Sequence, residues 1–231
     1  MKPLEPDWDS IEDAERQRNT EKIPCLLKRR DRGLMEKIKK FSIKHKISEE
    51  EIREEIGRSR VARAAFAKDP SRQNLYEGIA KRFLEEHLTP LGVTVRKLPA
   101  KGKNALYIDQ SGKIRGKSEK DGREIGKSLD FEVKLGGQIV YISHKFTRES
   151  GGSQDSQSDE QLEKLGRFKN SNDPQKHFAA ACDGEYYVRR MSELKALARK
   201  QAPFSTAGTC GEVLEFIREM FNINQARQPR R

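Results

Sequence analysis

Residues 128–146 read SLDFEVKLGGQIVYISHKF, and this stretch decides the fold. Apolar and polar residues alternate on both sides of Gly136-Gly137, which predicts two strands, Ser128 to Leu135 and Gln138 to Phe146. A pair of glycines between two such runs is typical of a two-residue turn. The stretch therefore predicts a β-hairpin.

A carboxylate and a lysine are expected on one face of this hairpin. Asp130 on the first strand and Lys145 on the second share a face near one end of the pair. Phosphodiester hydrolysis uses a carboxylate that binds a hard cation and an ammonium that orients water or stabilises developing charge. One carboxylate holds magnesium poorly, and the best second candidate is Glu77, at the border of the apolar stripe of the preceding helix. The alternative for Glu77 is a solvated helix flank.

The neighbouring elements predict an α/β fold with a central mixed β-sheet flanked by helices. A core-packed helix begins near Asp69 and ends near His87. Residues 109–127, rich in Gly, Lys and Ser, predict a long basic loop. Additional strands are predicted at Val93–Val95, Ala105–Ile108 and Phe178–Cys182, and additional helices at about 155–168, 189–199 and 210–221.

Three regions of the chain differ in character. Residues 1–68 predict a basic helical region that contacts DNA or supports a dimer, residues 69–222 a nuclease core, and residues 223–231 a disordered basic tail. In the first region Ser48 is a predicted helix cap, with Glu51 completing a capping box. Residues 28–46 carry nine basic and two acidic side chains, which favours either a solvated helix face or a phosphate-tracking arm.

Composition narrows the class of protein. The formal net charge of +11 favours a polyanionic partner. No stretch has the length of a membrane span, and the acidic N-terminus lacks the apolar run of a secretion signal. The three cysteines are far apart, which argues against a disulfide framework and a cysteine zinc site. A reduced cytoplasmic protein with no membrane partner is expected.

Four motifs in order resemble a known family. Asp130 is followed, after a strand and a turn, by Ser143-His144-Lys145, as in the PD-(D/E)xK nucleases, the group that contains most type II restriction endonucleases. The resemblance covers roughly residues 65–220. The other three motifs are KDPSRQN at 68–74 leading to Glu77, ESGGSQD at 149–155, and ACDGEYY at 181–187.

The resemblance implies a restriction-endonuclease-like fold and Mg²⁺-dependent, site-specific hydrolysis of double-stranded DNA. It implies Glu77, Asp130 and Lys145 as catalytic residues and Asp130, Glu77 and Ser143 at the metal. The chain departs from the family pattern at Ser143, where an acidic residue is expected two positions before the lysine. Some members take an acidic ligand from a preceding helix, and Glu77 matches that position.

Residues around this site are predicted to contact DNA. Glutamine can pair with adenine, so residues on the loop after the lysine strand are candidates for base recognition; the alternative is that the polar run 153–160 only caps the next helix. Arginines beside the site and the 101–127 loop are expected to clamp phosphates. The candidates are Arg72, Gln73, Arg148, Gln154, Asp155, Gln157, Lys39 and Lys40. Cleavage of both strands of a palindrome would suit a homodimer, and a cognate DNA methyltransferase is expected in the same system.

Alternatives remain at this stage. The protein could be a repair or nicking nuclease of the same fold, or a non-catalytic DNA-binding regulator in which Ser143 marks a degraded site. Glu132-Val133-Lys134 and Pro6-Asp7 match fragments of the family motif but are interpreted as incidental, and Asp109 is a less favoured spare carboxylate.

Overall fold

The computed structural model describes residues 4–70, 73–116, 126–148, 152–168 and 173–223, with the backbone alone at residues 73 and 152–154. The chain divides into two compact units, one comprising Asp7–Leu75 and the other Met1–Pro6 together with Tyr76–Arg231. The boundary at 75/76 falls inside a helix, seven residues after the one at 68/69 predicted from sequence, and residues 1–6 group with the second unit. The predicted tail, apart from Ile223, lies outside the described residues.

The N-terminal unit is helical. Its four helices are α1 (Trp8–Lys28), α2 (Arg32–His45), α3 (Glu49–Arg58) and α4 (Arg60–Phe66). A polar side chain caps the start of each helix, including Ser48, which accepts a hydrogen bond from the Glu51 backbone N–H as predicted. The helices pack around a small apolar core of Ile23, Leu34, Ile38, Ile52, Ile56 and Phe66.

The second unit is α/β, as the sequence predicts. Its helices in the described residues are α5 (Gln73–Leu88), α6 (Gly152–Arg167), α7 (Glu185–Arg199) and α8 (Cys210–Met220), with a 3₁₀ turn at Thr89–Leu91. Its strands are β1 (Thr94–Lys97), β2 (Leu106–Ile108), β3 (Ile114–Gly116), β4 (Phe131–Leu135), β5 (Gln138–Phe146), β6 (Lys176–Asp183) and β7 (Ser205–Gly208).

Five of these strands form a mixed sheet in the order β1-β4-β5-β6-β7. β1, β4 and β5 are antiparallel neighbours, whereas β5, β6 and β7 are parallel. Leu135 pairs with Gln138, so Gly136-Gly137 is the predicted two-residue turn. The central mixed sheet flanked by helices is confirmed.

Helices cover both faces of this sheet. α6 and α7 pack on the face that carries Tyr141, Phe178 and Cys182. On the opposite face, Tyr76 of α5 stacks on Phe146 with ring centroids 4.0 Å apart, and α8 approaches His177 through Phe216. Burial of both faces explains why β5 and β6 are almost continuously buried.

Two expectations about strands were wrong. The predicted 109–127 loop contains β3, which pairs with β2 in a separate two-stranded sheet. Asp109 closes the tight turn between these strands, because its carboxylate accepts hydrogen bonds from the following residues. The Gly/Lys/Ser-rich composition of the segment gives no sign of these contacts. β7 was not predicted, because the residues STAG have little strand preference and become a strand by pairing with β6.

None of the helices in the described part of the chain combines the length and apolar character that crossing a bilayer requires.

Candidate functional site: an acid–lysine cluster on β4, β5 and α6

The β4–β5 hairpin brings Asp130 and Ser143 together. Phe131 pairs with Ile142, so Asp130, one residue before β4, lies opposite Ser143. The Ser143 hydroxyl lies 3.4 Å from Asp130 Oδ2 and donates to it, while the His144 backbone N–H donates to the same oxygen at 2.8 Å. These contacts fix the carboxylate against the edge of β5.

Lys145 shares the face of Ser143, two residues further along β5. Its side chain is largely buried, and its ammonium lies 3.7 Å from Oε1 of Glu160 on α6. Glu160 also pairs with Lys164, one turn along the same helix, at 2.7 Å, and with the exposed Lys127 at 2.8 Å. A second carboxylate thus comes to the lysine from the helix that follows β5.

Two more side chains of α6 close the group around Ser143. The Lys164 ammonium donates to Ser143 Oγ at 2.8 Å, and the Gln161 amide donates to the same oxygen at 3.0 Å. With its own proton directed to Asp130, the hydroxyl uses its donor and both acceptor positions. We call Asp130, Ser143, Lys145, Glu160, Gln161 and Lys164 the acid–lysine cluster.

The ammonium groups around Glu160 favour its ionised form. Burial alone raises the pKa of Glu160, but the ammonium groups of Lys164 and Lys145 outweigh burial, so the pKa lies below its usual value. Burial lowers the pKa of Lys164, and the carboxylates of Glu160 and Asp130 oppose that shift. Glu160 is therefore compensated by Lys164, one helical turn away, and by Lys145 of β5, and Lys164 by Glu160 and Asp130.

The structure does not bring Glu77 into this cluster. Its carboxylate pairs with Lys97 of β1 at 2.7 Å. Lys97 lies opposite Phe131 in the strand register, on the other face of the sheet from Asp130. α5 packs on that other face through Tyr76, so Glu77 and Asp130 lie on opposite faces of the sheet, and the carboxylate that α6 places near Lys145 is that of Glu160.

The sequence did contain a signal for Glu160. From sequence alone, the polar run 153–160 is a candidate for base contacts or for a helix cap. In α6, however, Ser158, Glu160, Gln161 and Lys164 are buried, while Asp159 and Glu163 are exposed. Glu160 and Lys164 lie four residues apart on the buried side of the helix that follows the lysine strand. Buried charged groups at this spacing must find partners inside the protein.

The residues predicted to contact DNA differ in exposure and in the unit to which they belong. Arg148 is exposed, with its guanidinium 5.6 Å from the centre of the Phe146 ring. Asp155 accepts a hydrogen bond from the Tyr186 hydroxyl at 2.6 Å, and Gln157 is half-buried on α6. Arg72 and the side chains of Gln73 and Gln154 lie outside the described residues. Lys39 and Lys40 are exposed on α2, in the N-terminal unit.

The remaining acidic candidates have other partners. Asp109 pairs with Arg115 at 2.7 Å, and Glu132 pairs with Arg96 at 3.0 Å. Asp7 caps α1 by accepting a hydrogen bond from the Ser10 backbone N–H. Each of these carboxylates has a local structural role.

A second buried polar group lies on the opposite face of β5 and β6. The potential ligand atoms of His144, Asp183 and Cys210 lie within 4.8 Å of one another. Asp183 accepts a hydrogen bond from the Cys210 backbone N–H at 3.1 Å, at the first turn of α8, and its other oxygen lies 3.4 Å from His144 Nε2. A thiol and an imidazole do not suit a hard cation such as Mg²⁺, so this group is not a candidate for the predicted magnesium.

Comparison with known proteins found no matching family model, no matching curated protein and no matching solved structure.

Proposed function

We propose that this protein is a Mg²⁺-dependent endonuclease that hydrolyses phosphodiester bonds in double-stranded DNA, with Asp130, Glu160 and Lys145 as its catalytic residues. The observation that carries the proposal is the approach of Glu160 to Lys145 beside Asp130. Two carboxylates and a lysine from three successive elements are the groups that metal-dependent phosphodiester hydrolysis requires.

The donor set fits magnesium. The available ligands are carboxylate oxygens of Asp130 and Glu160 and the hydroxyl of Ser143, all of which are hard oxygen donors. Bound there, Mg²⁺ would neutralise charge on the scissile phosphate and lower the pKa of a coordinated water. Ser143 cannot replace an acidic ligand, and Glu160 supplies the negative charge that the family pattern places at that position.

The chain's own residues have distinct tasks in this proposal. Asp130 is held by Ser143 and by the His144 backbone N–H, so its geometry is set before substrate binds. Lys145 orients the attacking water through its ammonium and stabilises negative charge that develops on the phosphate. Gln161 fixes Ser143 from the other side.

The restriction-endonuclease-like fold is part of the proposal. Its support is the order of α5, the antiparallel neighbours β1, β4 and β5, α6 and the parallel β6, with Asp130 directly before β4 and Ser143 and Lys145 on β5. A type II restriction enzyme would act in a bacterial or archaeal cytoplasm, as a homodimer, with a methyltransferase protecting the host DNA. The net charge of +11 suits a DNA partner.

The test is cleavage of plasmid and phage DNA by purified protein, with Mg²⁺ or with EDTA. We expect discrete fragments that depend on Mg²⁺, and we expect Asp130→Asn and Lys145→Ala to abolish them while DNA binding in EDTA is retained. A smear would indicate a nuclease without sequence specificity, and nicked plasmid a nicking enzyme. Metal-independent binding with no cleavage of any DNA would reject the catalytic proposal in favour of a regulator.

A further inference from the structure

Lys164 makes more contacts in the acid–lysine cluster than the proposed chemistry needs. Its ammonium lies 2.7 Å from Glu160 Oε1, 2.8 Å from Ser143 Oγ and 3.2 Å from the backbone carbonyl oxygen of Ser128. Its residue is 5% exposed. A carboxylate, a hydroxyl and a carbonyl oxygen are also the ligands that a hard divalent cation selects.

The charge balance of the cluster points the same way. Counted as formal charges, Asp130 and Glu160 provide two negative charges and the buried Lys145 and Lys164 provide two positive charges, while the exposed Lys127 also pairs with Glu160. A divalent cation entering this group would leave a net charge of +2 in a largely buried site, which is unfavourable at low dielectric. Two of the oxygen atoms that would attract the cation, Glu160 Oε1 and Ser143 Oγ, already accept hydrogen bonds from the Lys164 ammonium.

We propose that Lys164 is an internal cation that competes with the divalent metal for Glu160 and Ser143, and so sets the metal affinity of the DNA-free protein. The inference rests on the proposed function, because it concerns the same site. In the free protein the ammonium stabilises the two carboxylates; metal binding requires it to leave Glu160. In this proposal Lys164 weakens metal binding, so removing its ammonium tightens metal binding. If Lys164 only supported the structure of the site, removing it would weaken metal binding instead.

The experiment measures Mn²⁺ binding to the full chain without DNA by isothermal titration calorimetry. The variant Lys164→Met removes the ammonium and keeps an unbranched side chain; Lys164→Gln, which retains a donor for Ser143, replaces it if the methionine variant does not fold. We expect the dissociation constant for Mn²⁺ to fall about tenfold or more relative to the unmodified chain. The gain should disappear when Glu160→Gln is added.

A matched control separates this effect from a general loss of positive charge. Lys195 pairs with Glu212 on other elements of the same unit, and Lys195→Met should leave the Mn²⁺ affinity unchanged. Equal or weaker Mn²⁺ binding by a folded Lys164 variant would overturn the inference, as would an equal gain in the Lys195 variant.

The inference and the proposed function fail separately. Metal-dependent DNA cleavage by the unmodified chain, with no gain of Mn²⁺ affinity in the Lys164 variant, would overturn the inference and leave the nuclease standing. Tighter Mn²⁺ binding in the Lys164 variant, lost with Glu160→Gln, supports the competing cation even where the chain cleaves no DNA.

Discussion

Gly184 connects β6 to α7 with a backbone φ of +95°, and it lies directly after Asp183 in one of the motifs that suggested the nuclease family. A Cβ at this position would overlap the backbone carbonyl of Thr147, the residue after β5. Both the left-handed conformation and the close approach therefore require glycine.

Gly184→Ala should destabilise the protein by roughly 2–4 kcal/mol, since the backbone of Thr147 cannot give way without disturbing the end of β5. Urea unfolding monitored by circular dichroism measures the difference. Gly78→Ala is the control, because a Cβ there meets nothing within 4 Å on α5, and it should be neutral or stabilise the helix by up to about 1 kcal/mol. Equal stability of the Gly184 variant and the unmodified chain would contradict the packing described at this junction.

At the same scale, the sequence predicted part of the candidate site. Asp130 and Lys145 follow from strand alternation around a two-residue turn, which is a local pattern. The position of Glu160 depends on the angle at which α6 packs across β5, and the amino-acid sequence does not specify that angle. Glu77 borders an apolar stripe in the sequence, but such a border does not determine which face of the sheet the helix covers, and in the structure Glu77 pairs with Lys97.

At the scale of elements, the β2–β3 hairpin depends on one carboxylate. Asp109 accepts hydrogen bonds from the Ser111 hydroxyl at 2.7 Å and the Lys113 backbone N–H at 3.0 Å, and it pairs with Arg115. Burial alone would raise the pKa of Asp109, but these partners outweigh burial and lower the pKa to about 2. The hairpin is therefore stabilised by the ionised form of Asp109.

A folded-state pKa below the unfolded value of 3.8 means that the stabilisation is present above about pH 4 and is lost as the pH falls towards 2. Asp109→Asn should lower the free energy of unfolding by about 1–2 kcal/mol near pH 6, and the difference should shrink near pH 3. Urea unfolding at both pH values tests this. The exposed Asp159→Asn serves as control and should change the unfolding free energy little at either pH; a pH-independent cost at Asp109 would refute the electrostatic explanation.

The strands and helices differ in how far sequence could predict them. β4, β5 and α8 have strong alternation or amphipathic patterns and were predicted to within a few residues. β3 and β7 lack such patterns: one is formed by a turn that side chains close, and the other by pairing with β6. Elements that depend on a partner rather than on their own residues escape a sequence-based prediction.

At the scale of the whole molecule, the candidate functional groups occur in both compact units of the chain. The α/β unit carries the acid–lysine cluster, and the helical unit carries the exposed Lys39 and Lys40, which remain predicted phosphate contacts. Sequence order alone predicted the α/β architecture, but it could not decide which helix places a carboxylate near Lys145, because α5 and α6 cover opposite faces of the sheet.

The most direct test compares Mg²⁺-dependent DNA cleavage by three glutamine variants of single glutamates: Glu160→Gln, Glu77→Gln and Glu163→Gln. Glu163 lies on α6 beside Glu160 but is exposed and pairs with Arg167, so it is the matched control. We predict that Glu160→Gln loses about 100-fold or more of the cleavage rate, while the other two variants cleave like the unmodified chain. Full activity in Glu160→Gln, or loss of activity in Glu77→Gln with Glu160→Gln unaffected, would contradict the site assigned to Asp130, Lys145 and Glu160.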